Sequence, residues 1–116
     1  MIGPLLLALT TPPEAVKIAT PRGVTSVPVN RERGAAVAAP LLAAPLGFVF
    51  VIEGSRATVV LDGVGFVFAL EAPFARIGSR VCHLVSEAYI TRDTLFLPLV
   101  WLTDCVPQVF GGRYRW

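Results

Sequence analysis

The chain has 116 residues, of which 54% are hydrophobic and only 16% are charged, and its formal net charge is +2. This length suits one domain with a buried core, and the low charge excludes a disordered chain or a charged tail. The small net charge also argues against a nucleic-acid groove, which needs a concentrated basic face. Two Cys and one His are too few for a zinc-finger framework within one chain. Composition therefore indicates an apolar α+β or all-β domain without a cofactor, and points away from an enzyme.

The N-terminal segment, residues 1–23, is rich in proline and lacks periodicity, so we predict a leader and linker. A complete secretory signal has basic residues before its apolar run, and none precede the run Ile2–Leu9 here. Two interpretations remain open here: a degenerate export signal, or a hydrophobic N-terminus without a targeting role.

The longest uncharged stretch, residues 34–52, is long enough to cross a membrane. We reject that interpretation because Pro40, Pro45 and Gly47 interrupt the stretch, and because its last part, Phe48–Ile52, has the composition of a strand.

From Val24 onward, short apolar runs alternate with turn residues, which is typical of short antiparallel strands. The sequence predicts strands at Val24–Val29, Ala35–Val37, Phe48–Glu53, Ala57–Asp62, Val64–Glu71, Phe74–Ile77, Arg80–Val85, Tyr89–Thr91 and Leu95–Leu97.

Two short helices are predicted, each with a proline at its start: one at Pro40–Ala44, the other from Leu99 to about Val106. The second carries apolar residues at spacings of three and four, so it should pack against a sheet. The repeated order of short strand, proline and helix suggests two related hairpin–helix halves.

These elements predict an α+β fold: a twisted antiparallel sheet of short strands, or two joined sheets, with two short helices and the C-terminal helix packed on the sheet. The predicted core consists of Val49, Val51, Val59, Leu61, Phe66, Phe68, Leu70, Leu97, Leu99, Leu102, Val106 and Val109.

One segment, Thr94–Leu102, resembles a unit of the copper amine oxidase N-terminal-like domain, a small extracytoplasmic module of bacterial cell-surface proteins. Further segments resemble other parts of that module: Ser26–Val29, Leu46–Phe50, Ala72–Val81 and Gly112–Trp116. The resemblance covers residues 24–116 and implies a domain truncated at its C-terminus, because the module's final strand only begins at the chain's last residues.

The resemblance implies a non-catalytic module of the bacterial cell envelope or periplasm. Such modules often precede an N-acetylmuramoyl-L-alanine amidase domain, so the expected partners are peptidoglycan or a downstream amidase domain. Two alternatives are the N-terminal fragment of such an amidase, without its catalytic domain, and a structural module that self-associates through its sheet edges. Copper binding is not expected, because a copper site needs several imidazole or thiolate ligands.

Few residues suggest chemistry. Cys82 and Cys105 could form a disulfide across 22 intervening residues, or remain as reduced core thiols. The adjacent Cys82 and His83 should point to opposite faces of a strand, which excludes a Cys–His nucleophile pair. The acidic residues Glu71, Glu87, Asp93 and Asp104 show no spacing that brings two carboxylates together.

The C-terminal residues Arg113, Tyr114, Arg115 and Trp116 alternate cations with aromatic rings. Such a patch could form a ligand or partner surface by stacking on sugar rings. The alternative is a strand whose aromatic side chains face the core. No metal ligands and no catalytic residues are predicted.

Overall fold

The computed structural model describes residues 15–111 and Tyr114. Its strands form two five-stranded antiparallel sheets, which confirms the predicted α+β fold. The elements are β1 (Ala15–Thr20), β2 (Gly23–Asn30), β3 (Ala36–Ala38), α1 (Ala39–Leu46), β4 (Val49–Glu53), β5 (Arg56–Leu61), β6 (Val64–Ala69), β7 (Phe74–Ile77), β8 (Arg80–His83), β9 (Tyr89–Thr91), β10 (Thr94–Pro98), a π-helical segment (Trp101–Cys105) and α2 (Val106–Phe110).

Sheet 1 has the strand order β1-β2-β3-β10-β9. Its central pair joins the two halves suggested by the sequence, because β3 and β10 run antiparallel with Leu97 opposite Val37. Each of these strands follows a partner strand and leads into a helix. Sheet 1 therefore has an approximate internal two-fold arrangement of hairpin–helix units.

Strand β1 corrects the predicted boundary between linker and domain. Residues Ala15–Thr20 pair along their whole length with β2, so an irregular linker is the wrong description of this part of 1–23. Val16 and Ile18 contribute to the core, and Lys17 between them is exposed. Residues 1–14, and with them the export-signal question, lie outside the described residues.

Sheet 2 is a meander in which β4 to β8 are neighbours in chain order. The alternation along its strands separates an inner from an outer face, and the predicted core residues Val59, Leu61, Phe66 and Phe68 are fully buried on the inner face. The prediction is wrong for Val49 and Val51, whose side chains are 67% and 55% exposed.

The reason for this error lies in β4 itself. Its sequence, Val-Phe-Val-Ile-Glu, is apolar on both faces until the last residue, so periodicity does not reveal which face is inward. In the structure Phe48, just before β4, is buried, and Phe50 packs against the core on the same face. The two larger aromatic side chains thus take the inner positions, and the valines face outward.

Helix α1 connects the two sheets and keeps the predicted proline at its first turn. It ends later than predicted, at Leu46, with Pro45 inside its last turn. Gly47 closes it in the left-handed conformation, with φ 74°, and donates its backbone N–H to the carbonyl of Ala43 at 2.7 Å.

The C-terminal helical region begins at Leu99, as predicted, and continues through the π-helical segment into α2. The turn is wider than in an α-helix because Val106 donates its backbone N–H to the carbonyl of Trp101, five residues earlier. Pro107, the next residue, has no N–H to donate. This turn directs both Trp101 and Cys105 into the core, where they are fully buried. Leu102 and Val109 pack against that core, as their spacing predicted.

Trp101 is the centre of the hydrophobic core. Its ring meets Phe48, Phe66 and Phe68 edge to face, with centroid distances of 5.8, 5.4 and 5.7 Å. Because Phe66 and Phe68 belong to sheet 2 and Trp101 follows sheet 1, this aromatic cluster holds the two sheets together. Within the described part of the chain, no helix is long and apolar enough to cross a membrane.

Candidate functional site

A disulfide holds the C-terminal helical region, which forms one wall of the groove described below. Cys82 of β8 and Cys105 of the π-helical segment are bonded, with their Cα atoms 6.0 Å apart. Cys82 is nearly buried and its neighbour His83 is exposed, so the two side chains lie on opposite faces of the strand as predicted. The bond anchors the C-terminal helical region to sheet 2.

A groove of about 740 Å³ lies between the β1–β2 hairpin, the end of α1 and the C-terminal helical region. Its apolar lining includes Val16, Ile18, Leu46, Leu102 and Val106. The hairpin reaches this position because β1 pairs with β2 out to its last residue, Thr20, opposite Gly23. The groove therefore depends on the strand that the sequence analysis assigned to a linker.

Two cationic side chains stand at this groove, Lys17 of β1 and Arg22 of the hairpin turn. Among the described residues neither forms an ion pair. The carboxylate that also lines the groove, Asp62, accepts a hydrogen bond of 2.6 Å from the Tyr114 hydroxyl. An anionic or carboxylated ligand would be attracted by the two cations, and apolar groups of the same ligand could occupy the floor.

Tyr114 is the one residue of the predicted C-terminal surface that the structure describes. Its ring lies 5.1 Å from that of Phe110 and packs against the core, while its hydroxyl reaches Asp62 in the groove wall. Tyr114 therefore has a core side and a groove side, and it lies in a bend and not in the strand that the alternative interpretation expected. Arg113, Arg115 and Trp116 lie outside the described residues.

A second, smaller groove of about 460 Å³ lies on the other side of the hairpin turn. It is lined by β2 residues and by the first turns of α1, including Val24, Pro40 and Leu41. Thr20, Arg22 and Pro45 line both grooves. Arg22 therefore sits where a ligand could extend from the larger groove into the smaller one.

A separate polar group, which we name the Arg33 cluster, comprises Asn30, Arg33, Glu71, Glu87 and Tyr89. The guanidinium of Arg33 lies 5.2 Å from the centre of the Tyr89 ring and is paired with Glu87 and, at 3.6 Å, with Glu71. The Tyr89 hydroxyl donates to Asn30 Oδ1 at 3.0 Å. These contacts tie the β2–β3 loop to the chain before β7 and to β9.

Burial raises the pKa of Tyr89 above the ordinary value of a tyrosine. The negative charge of Glu32 acts in the same direction. The backbone N–H of Arg33 and the charges of Arg33 and Arg92 oppose this change. Tyr89 is therefore held in its neutral, hydrogen-bonding form, which suits a structural role in the cluster.

The Arg33 cluster was missed by the sequence analysis, which found no spacing that joins two of the acidic residues. In the structure Glu71 and Glu87 both reach Arg33, which lies 54 positions before Glu87. No local pattern could have shown this, because the contact depends on how sheet 2 returns to sheet 1. The guanidinium between the two carboxylates supplies their counter-charge.

The described residues contain no group of three or more His, Cys, Asp or Glu side chains placed to hold a metal ion. The chain has no significant match among protein-family models, curated proteins or solved structures. The likeness to the copper amine oxidase N-terminal-like domain therefore stays a prediction from the sequence.

Proposed function

We propose that this chain is a non-catalytic module of the bacterial cell envelope that positions an attached or partner peptidoglycan-remodelling enzyme, such as an amidase, and that the larger groove is its contact with the cell wall. The groove carries the proposal: two cations without a described ionic partner stand over an apolar floor. The peptide stems of peptidoglycan combine free carboxylates with small apolar side chains, which is the complementary chemistry.

The disulfide supports an extracytoplasmic location. Such bonds form and persist in oxidising compartments and are rare in the cytosol. Here the bond holds the helical region that supplies Leu102 and Val106 to the groove. Oxidation would therefore both stabilise the domain and shape its binding surface.

The test is co-sedimentation of the oxidised chain with purified peptidoglycan, followed by titration with soluble stem peptides. The double variant Lys17→Ala/Arg22→Ala should weaken binding at least tenfold, because it removes both cations from the groove. A matched double variant, Arg56→Ala/Arg76→Ala, removes two exposed arginines from sheet 2 and should bind like the unmodified chain.

Three results would contradict this proposal. A folded, oxidised chain that is not retained by peptidoglycan would exclude the cell-wall contact. Equal losses in the two double variants would show that net charge, and not the groove, causes retention. Release of soluble fragments from peptidoglycan by the chain alone would contradict the non-catalytic role.

A further inference from the structure

The two sheets have four edge strands, and three of them carry features that oppose pairing with another chain. Strand β1 has Lys17 near its middle, β8 begins with Arg80 and is anchored by the disulfide, and β9 has three residues followed by the Arg92-Asp93 turn. Charged, short or anchored edges are the usual protection against edge-to-edge association.

Strand β4 lacks this protection. It has no charge between Val49 and Ile52, and Glu53 at its end lies opposite Arg56 of β5, which offsets that charge within the hairpin. Val49 and Val51 are 67% and 55% exposed on the outer face, and Ile52 is 41% exposed on the inner face. Both faces of this edge are therefore apolar and in contact with water.

The backbone of β4 is also open on one side. Among the described residues it pairs only with β5, so alternate N–H and C=O groups on its other side have no strand partner there. An extended backbone is the partner that satisfies such a row of donors and acceptors.

We propose that β4 of a second copy of this chain occupies this open edge. The two β4 strands pair antiparallel with Val51 opposite Val51, so that sheet 2 of one copy and sheet 2 of the other become one continuous sheet. The self-pairing is isologous, since each copy offers the same strand to the other. It places the two Glu53 carboxylates at opposite ends, about 14 Å apart along the strands. No like charges meet in the uncharged middle, and the exposed valines of the two copies become neighbours.

The size of the contact sets the expected affinity. A pairing of five-residue strands buries less surface than the 1,200–2,000 Å² or so of a stable interface. The dimer should therefore be weak and depend on concentration. This inference rests on β4 and is independent of the groove and of the proposed function.

Analytical ultracentrifugation of the full, oxidised chain over a wide concentration range tests the pairing. The unmodified chain should shift from monomer to dimer as its concentration rises. Val51→Lys should raise the dissociation constant at least tenfold, because two ammonium groups would then face each other at the two-fold axis. Val51→Thr, a neutral strand former at the same exposed position, should still dimerise.

Two further variants distinguish edge pairing from stacking of the outer faces. Ile52→Lys changes the inner side of the same edge and should also weaken edge pairing, whereas face stacking would tolerate it. Val81→Lys, at a 51% exposed position on β8, should disturb only face stacking. Amide hydrogen exchange in β4 should slow as the concentration of the unmodified chain rises.

A chain that stays monomeric up to millimolar concentration would overturn the inference. So would a dimer that Val51→Lys leaves intact, or one that Val81→Lys weakens as much as Val51→Lys does.

Discussion

The disulfide between Cys82 and Cys105 joins the last strand of sheet 2 to the helical region that follows sheet 1. It lies beside the aromatic cluster of Trp101, so one covalent bond and one packing cluster connect the same two parts of the fold. The C-terminal helical region is therefore held at both ends of its π-helical segment, at Trp101 and at Cys105.

Removing this disulfide should lower the free energy of unfolding by about 3 kcal/mol, from the chain entropy regained by a 23-residue separation. The double variant Cys82→Ala/Cys105→Ala and the reduced chain should show similar losses in urea unfolding. Reductant should leave the double variant unchanged, which makes it the control. Equal stability of the oxidised and reduced chains would show that packing alone holds the helical region.

Trp101→Ala should cost about 3–5 kcal/mol, because it empties the centre of the core where three phenylalanine rings meet. Trp101→Phe should cost less than half as much: it keeps an aromatic ring and removes the indole Nε1, which is buried without a hydrogen-bond partner among the described residues. Phe74→Ala, at a 39% exposed position, is the matched control and should cost under about 1 kcal/mol. A loss at Phe74 equal to that at Trp101 would contradict this account of the core.

Tyr89 should make the fold sensitive to alkaline pH. Its pKa is raised in the folded state, so its contribution to stability is complete below the unfolded value of about 10 and is lost as the pH rises through the folded pKa. Urea unfolding between neutral pH and pH 11 or so should show this loss. Tyr89→Phe should reduce this loss of stability at alkaline pH, since it removes the titrating group. It should also lower the free energy of unfolding at neutral pH by about 1 kcal/mol, since it removes the hydrogen bond to Asn30.

The control for Tyr89 is Tyr114→Phe, which leaves the Arg33 cluster intact and should keep the alkaline loss. If Tyr89→Phe lost as much stability at alkaline pH as the unmodified chain, the loss would belong to another titrating group.

The buried face was predictable from sequence in strands where apolar residues alternate with other residues along the chain. Val59 and Leu61 of β5, and Phe66 and Phe68 of β6, occupy the buried face because each pair is two positions apart in a strand. The same rule could have found β1, in which Val16 and Ile18 flank Lys17. It could not orient β4, where both faces are apolar.

The candidate site was less accessible from sequence. Tyr114 was singled out for its aromatic ring, but its partner Asp62 lies 52 positions earlier and entered the sequence analysis only as the last residue of a predicted strand. Lys17 and Arg22 were placed in a linker and received no role. Their convergence depends on how the β1–β2 hairpin packs against the C-terminal helical region, and such long-range contacts leave no local spacing.

The loop after β8 stores backbone strain at Val85, whose φ is 67° and whose side chain is 87% exposed. Ser86 donates its N–H to the Leu84 carbonyl at 2.6 Å, which makes Val85 the central residue of a γ-turn with positive φ. A β-branched residue adopts this conformation at a cost of about 1–3 kcal/mol, and nothing in the side chain's surroundings offsets it.

Val85→Gly should therefore raise the free energy of unfolding by about 1 kcal/mol, since relief of strain exceeds the added entropy of the unfolded chain. Val24→Gly is the matched control: Val24 is 68% exposed but lies in the extended strand β2, so the same change should destabilise by about 0.5–1 kcal/mol. Urea midpoints of the two variants should move in opposite directions. A shift of both midpoints to lower urea would show that the Val85 conformation carries no strain that glycine relieves.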